Sequence, residues 1–225
     1  MSNKFFIGIL VLIAVVFGVV LLNDRKGEQN GSNDANSSQA TQHTEGSDKT
    51  GVVLIEYGDF ECQHCWRAEA VIRPLREKYK DQITFQFRHF PLSQLHKNAF
   101  AAHRIAEAAG KQGKFWEMHD MLFEHAYQPG SEANPIPIEW TATTTPMPFF
   151  EQYAKQLGLD VEKLKADAAS QDINSLINAD IKEGQKLGIS GTPAFVLDGV
   201  KIETPESLEA FSKLIDEAIK KKSTS

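Results

Sequence analysis

Cysteine is nearly absent from this chain: there are two in 225 residues, Cys62 and Cys65, three positions apart. A secreted scaffold stapled by disulfides carries more of them at wider spacing, so this pair does not tie distant parts of the chain together. A basic surplus is also missing. Lys and Arg number 24 against 30 Asp and Glu, for a net charge of −6, which excludes the electrostatic footprint of a nucleic-acid binder. There is no second Cys-x-x-Cys to complete a zinc site, and no internal repeat. The chain is nonetheless no disordered polyampholyte, with 41% hydrophobic and 24% charged residues, as in ordinary globular proteins.

One long apolar run is present. Residues 5–22 hold 18 consecutive apolar positions, interrupted in bulk only by Gly8 and Gly18. As a helix it would span roughly 27 Å, close to a bilayer core. It ends in Val-Val-Leu-Leu-Asn-Asp, without an A-x-A-like cleavage pattern and without a following cysteine to carry a lipid. An uncleaved signal-anchor over residues 1–24 is therefore expected rather than a cleaved signal peptide. Charge does not orient it: Lys4 precedes the run, and Arg25 and Lys26 follow it beside Asp24 and Glu28. Residues 25–50 are polar, with Ala35 and Ala40 the only apolar side chains. They cannot bury enough surface to offset ordering entropy and read as a disordered linker reaching about 25–30 Å.

The globular part is expected over residues 51–225. Residues 52–57 (VVLIEY) form a near-continuous apolar run, hence a buried strand. The turn Gly58-Asp59-Phe60-Glu61 leads into Cys62, from which apolar residues recur at helical spacing to Tyr79. Pro74 lies inside that helix and is expected to kink it. Residues 83–87 (ITFQF) alternate as a second strand, completing a βαβ unit. A block of helices follows over residues 93–188, with a proline-rich loop expected at 127–148. Residues 194–197, the turn Asp198-Gly199 and residues 200–202 read as a hairpin, and 205–222 as a closing amphipathic helix. The order is β-α-β, helices, then β-β-α.

The chemistry is carried by Cys62-Gln63-His64-Cys65. Haem attachment requires histidine after the second cysteine, where Trp66 stands. Structural zinc requires further ligands, and His89, His96, His103, His119 and His125 form no pair at the usual spacing; His43 falls in the linker. Redox chemistry explains the spacing. Positions i and i+3 on a helix bring Cβ atoms to about 5–6 Å and a disulfide needs roughly 3.8 Å, so a small adjustment opens or closes the bond. Cys62, at the helix start, meets unpaired N–H groups and the positive end of the dipole, which favour its thiolate; Cys65, one turn in, is the resolving thiol. The dipole supplies about 2 kcal/mol at most, or roughly 1.5 pKa units, so His64 is singled out as an additional cation. Glu56, an ionisable residue within an apolar strand, is placed beneath the pair to move protons to or from Cys65. Thr192-Pro193 before a strand suggests a cis proline that leaves the Thr192 backbone free to pair with substrate.

Tyr57–Cys65 (YGDFECQHC), residues 87–92 (FRHFPL), residues 106–123 (AEAAGKQGKFWEMHDMLF) and residues 188–195 (GISGTPAF) together resemble the DsbA-like thiol:disulfide oxidoreductases. The resemblance implies an α/β thioredoxin-like fold with an inserted helical domain. It places the nucleophilic and resolving cysteines on Cys62 and Cys65, the buried acid on Glu56 and the cis proline on Pro193. It implies action outside the cytoplasm, with reduced or unfolded exported proteins as partners and a quinone-linked membrane oxidoreductase for re-oxidation, and no cofactor or metal. An oxidising compartment then sets the orientation: a single-pass cell-membrane protein with its catalytic domain outside. The same atoms run in reverse would make a reductase or isomerase, and a metal-binding or chaperone-like module is a third reading. The proline-rich stretch at 127–148 departs from the family pattern.

Overall fold

The computed structural model describes residues 40–131 and 134–224. The anchor expected at residues 1–24 and the linker up to Gln39 lie outside them. No helix among the described residues is long and apolar enough to cross a membrane.

Two parallel strands belong to a five-stranded sheet of order β1 (His43–Gly46), β3 (Thr84–His89), β2 (Val53–Gly58), β6 (Ala194–Leu197), β7 (Val200–Ile202). The apolar run read from the sequence is β2 (Val53–Gly58); α1 (Gln63–Tyr79) carries the chain back to β3 (Thr84–His89), parallel to β2. Helix α1 continues through Pro74. On the other side β6 (Ala194–Leu197) and β7 (Val200–Ile202) add antiparallel strands. They turn at Asp198 and Gly199, whose φ values of 48° and 81° suit a tight right-twisted hairpin.

Strand alternation sorts the β2 side chains onto two faces. Val52 and Leu54 meet Ile72, Leu75 and Tyr79 of α1, together with Phe211 and Ile215 of the closing helix α7 (Leu208–Ser223). Tyr57 on the opposite face joins Phe90, Ile189 and Val196. Each of these buried side chains contributes about 1.5–3 kcal/mol of transfer free energy. Gly58 ends β2 where a Cβ would stand 2.4 Å from the Phe87 ring, so no larger residue fits without displacing that ring.

Between β3 and β6 the described residues form α2 (Ala99–Gly110), α3 (Phe115–Glu124), α4 (Met147–Gln156), α5 (Val161–Ala168) and α6 (Gln171–Lys186). The stretch expected to be a loop at 127–148 is largely ordered instead. Its β4 (Tyr127–Ser131) and β5 (Asn134–Pro137) pair as a hairpin, followed by a short 3-10 turn at Glu139–Thr141. Its prolines are tolerated because a two-stranded ribbon has free edges on which a missing N–H costs nothing.

The linker expectation also requires correction at its end. His43–Gly46 forms β1, antiparallel to β3. Thr41 donates its N–H and hydroxyl to the buried Asp180 carboxylate at 2.7 and 2.5 Å. Polar composition misleads here because this strand is held by hydrogen bonds and ion pairs to distant residues rather than by its own apolar surface.

Candidate redox site

Strand β2 ends in a turn held by Asp59, which is buried. Its carboxylate accepts the N–H groups of Glu61 (2.9 Å) and Leu92 (2.8 Å) and bonds His96 Nδ1 (2.8 Å). The first of these is an Asx-type turn. It delivers Cys62 to the N-cap of α1 in extended conformation, φ −80° and ψ 119°. Its side chain makes no capping hydrogen bond, so the sulfur stands at an open helix start. Both cysteines are reduced and buried.

The two thiols are driven in opposite directions. Cys62 falls from 9.0 to about 5: the Cys65 thiol donates to its sulfur, outweighing burial, with help from Thr192 and from the backbone N–H groups of Cys65 and His64. Cys65 is pushed well above the ordinary thiol range by burial, by that same hydrogen bond, and by the negative charges on Cys62 and Glu56. Its sulfur accepts the Asp59 N–H at 3.5 Å.

The sequence-derived site residues fall as follows. Cys62, Cys65, Thr192 and Pro193 come together: the Thr192–Pro193 peptide is cis, and the Thr192 carbonyl oxygen lies 3.5 Å from Cys62 Sγ. Glu56 is fully buried on the α1 face of β2, and neither carboxylate oxygen has a hydrogen-bond partner among the described residues. Its pKa is raised well above the ordinary carboxylate value by burial first and by Glu69 and Cys62 next, with Arg76 opposing. The expectation for His64 changes. Its side chain is exposed and its Nδ1 lies 3.4 Å from an Arg67 nitrogen; what it presents to Cys62 is its backbone N–H.

Other site residues escaped the sequence reading. Asp59 had a visible signal, an Asp two residues before a turn amide. Glu69 had another: it repeats Cys65 at i+4 on the buried face of α1. Tyr127 had none; its hydroxyl donates to the Glu61 carbonyl at 2.6 Å and its ring packs near Trp66. A groove of about 360 Å³ runs along the Thr192–Pro193 peptide, lined by His64, Val71, Thr192, Pro193, Pro205 and Phe211 among others.

The fold also gathers histidines that chain spacing kept apart. The carboxylate of Glu107 bonds His43 Nε2 and, at 2.6 Å, His89 Nε2. Against its burial, these two hold Glu107 down to about 2. His89 Nδ1 and His103 Nδ1 share a hydrogen bond at 2.5 Å. A second set, Glu69, His119 and Asp120, has potential ligand atoms within 4.8 Å of one another, but Arg73 and Arg76 already pair with its carboxylates at 3.0 and 3.1 Å. Those guanidiniums supply the positive charge a cation would bring, so this set is not read as a metal centre.

A family model described as thioredoxin matches residues 38–217. The chain belongs to the thioredoxin family. The likeness to the DsbA-like branch of this family, read from the four sequence stretches, is borne out by its relatives. Probable disulfide bond formation protein D of Bacillus cereus is 29% identical over 231 residues, covering 98% of this chain and 99% of that one. The crystal structure of oxidised BdbD from Bacillus subtilis superposes with a TM-score of 0.65 at 25% identity, covering 80% of this chain and 93% of that one. Na(+)/H(+) antiporter NhaA 1 of Mycolicibacterium vanbaalenii is 33% identical over 165 residues, 72% of this chain, and this chain spans only 24% of that relative's length. Within the thioredoxin family fold, the pair of sulfurs at a helix start beside an X-Pro turn is the feature of this chain equipped for chemistry.

Proposed function

We propose that this protein is an extracytoplasmic thiol:disulfide oxidoreductase that donates the Cys62–Cys65 disulfide to exported proteins. The observation that carries this reading is the split between the two thiols, with Cys62 near 5 and Cys65 far above it. A substrate thiolate attacks Cys62 Sγ. The Cys62–Cys65 bond breaks, a substrate–Cys62 disulfide forms, and the electron pair moves to Cys65. The Cys65 thiolate, buried and unfavourable, takes a proton from Glu56, whose burial raises its pKa and favours the protonated acid. A second substrate thiolate then attacks its own mixed-disulfide sulfur and expels Cys62 as a thiolate that needs no proton.

Direction follows from which form the site favours. At pH 7 a thiol moved from 9.0 to about 5 stabilises the reduced state by roughly 3 kcal/mol, or about 60 mV toward the oxidising side for a two-electron couple. The groove beside Thr192 and Pro193 offers an extended substrate segment a place against the Thr192 backbone. The printed name of the Bacillus cereus relative, a disulfide bond formation protein, agrees with this direction. A membrane anchor at residues 1–24 would hold the domain at the outer face of the cell membrane, where a quinone-linked membrane oxidoreductase would restore the disulfide.

Equilibrating the full chain with glutathione buffers tests the reading. A reduction potential above about −180 mV is expected, more oxidising than the poise of secretory compartments; a value below about −230 mV would make the protein a reductase.

A further inference from the structure

The ring of His64 is turned to solvent, and a histidine from farther along the chain reaches the turn before Cys62 instead. His96 lies in the segment between β3 and α2, with Nδ1 2.8 Å from Oδ2 of the buried Asp59 carboxylate. Main-chain bonds hold that segment as a compact turn: Leu95 and His96 donate their N–H groups to the Leu92 carbonyl at 2.8 and 2.9 Å. A second attachment fixes it to the same loop. The Asn98 N–H donates to the buried Glu61 carboxylate at 2.6 Å, and the Asn98 side-chain amide donates to the carbonyls of Trp140 and Thr143 at 2.8 and 2.9 Å.

Asp59 connects this segment to both sulfurs. Its carbonyl accepts the Cys62 N–H at 3.0 Å, and its own N–H points at Cys65 Sγ at 3.5 Å. Its carboxylate also accepts the N–H groups of Glu61 and Leu92. Those two donors belong to the main chain, whereas His96 supplies a side-chain donor that is 22% exposed. His103 Nε2 stands 4.0 Å from the other carboxylate oxygen, too far for a hydrogen bond. A buried carboxylate keeps its place only while its oxygens have donors. The His96 imidazole therefore governs how firmly Asp59 is held, and with it the amide aimed at Cys65.

We propose that His96 is a positioning residue for disulfide opening: by binding the Asp59 carboxylate it keeps the Asp59 N–H on the Cys65 sulfur while that sulfur leaves. This rests on the reading of Cys62 as the attacked sulfur and Cys65 as the leaving one. When a thiolate attacks Cys62, the new disulfide forms there, the Cys62–Cys65 bond breaks and its electron pair goes to Cys65. The Asp59 N–H meets that charge before a proton arrives, and a hydrogen bond to a charged acceptor is stronger than the same bond to a neutral thiol. The gain is confined to the step itself, because Cys65 ends as a thiol. Loss of His96 slows opening and closing alike and leaves their ratio in place.

The test opens the disulfide of the full-length oxidised protein with dithiothreitol at fixed pH, by rapid acid quench and alkylation, and measures the equilibrium of the same variants with glutathione. His96→Ala is expected to open about tenfold more slowly, the worth of one hydrogen bond, with its glutathione equilibrium unchanged. His96→Asn sets a side-chain N–H where Nδ1 stands and is expected to restore the rate. His96→Gln sets it where Nε2 stands and is expected to stay slow. His96→Ala at the unaltered rate overturns the proposal, as does His96→Asn no faster than His96→Gln. An equilibrium that shifts together with the rate overturns it as well, since His96 would then be a structural prop of the turn. Should His96→Ala fail to fold, the comparison of Asn with Gln decides. A reducing equilibrium in the unaltered chain would overturn the oxidase reading and leave this comparison of rates intact.

Discussion

At the scale of single residues, the account turns on where protons sit. The Cys62 thiolate is favoured first by the Cys65 thiol and then by Thr192 and main-chain N–H groups, while the His64 ring is exposed beside Arg67. His64 was the natural candidate from sequence, since composition shows which side chains are nearby but not that the amide of the same residue does the binding. The depressed pKa fixes a pH dependence with a definite sign. Stabilisation of the reduced form is complete above the ordinary thiol value of 9.0 and is lost as pH falls through about 5. Above pH 5 reduction consumes one proton, taken by Cys65; below it Cys62 takes a second. The reduction potential is therefore expected to fall by about 30 mV per pH unit above the break and about 60 mV below it. Potentials measured against glutathione or dithiothreitol from pH 4 to 8 would show the break, and a single slope of about 60 mV per unit throughout would mean that Cys62 is an ordinary thiol.

Among the elements, those built from apolar side chains were legible and those built from long-range polar contacts were not. The run at 52–57 announced β2, and helical spacing after Cys62 announced α1, because both bury their own side chains. Strand β1 was invisible. Its four residues, His-Thr-Glu-Gly, gain order from β3, from an ion pair between Glu45 and Arg76, and from His43 stacked on Phe115. Asp180 secures the approach to this strand. It accepts both Thr41 donors, the His89 N–H at 2.9 Å and the Arg88 guanidinium at 3.1 Å. Asp180→Ala leaves two amides and the Thr41 hydroxyl without their acceptor, and leaves the buried Arg88 guanidinium with Glu183 as its carboxylate partner. It is expected to cost about 3–5 kcal/mol in chemical denaturation, with little change in the reduction potential of the surviving folded protein. A loss under about 1 kcal/mol would show that β1 and its approach are not anchored as described. The hairpin at β4 and β5 was missed for a related reason, since five prolines suggest a loop until the partner edge is known.

For the whole molecule, the candidate site is legible in its cysteines, Glu56, Thr192 and Pro193, which come from two stretches of sequence, residues 56–65 and 192–193. The interior behind it is not. Glu69 comes from α1, His103 and Glu107 from α2 and His119 from α3, and only the packed fold sets these helices side by side. Residues 1–24 enter the account as a proposed anchor. Fractionation of cells is expected to leave the protein in the membrane pellet, with the redox domain open to added protease in spheroplasts. A soluble product beginning after residue 22 would instead identify a cleaved signal peptide.

The central claim is that Cys62 alone is the reactive, low-pKa sulfur. Alkylation of the reduced protein by iodoacetamide across a pH series, with the labelled cysteine located by peptide mapping, tests it directly. The account predicts label on Cys62 only, with a rate that follows a single ionisation near pH 5, while buried Cys65 stays unlabelled through neutral pH. Label on Cys65, or a rate that rises only near the ordinary thiol value of 9.0, would contradict it.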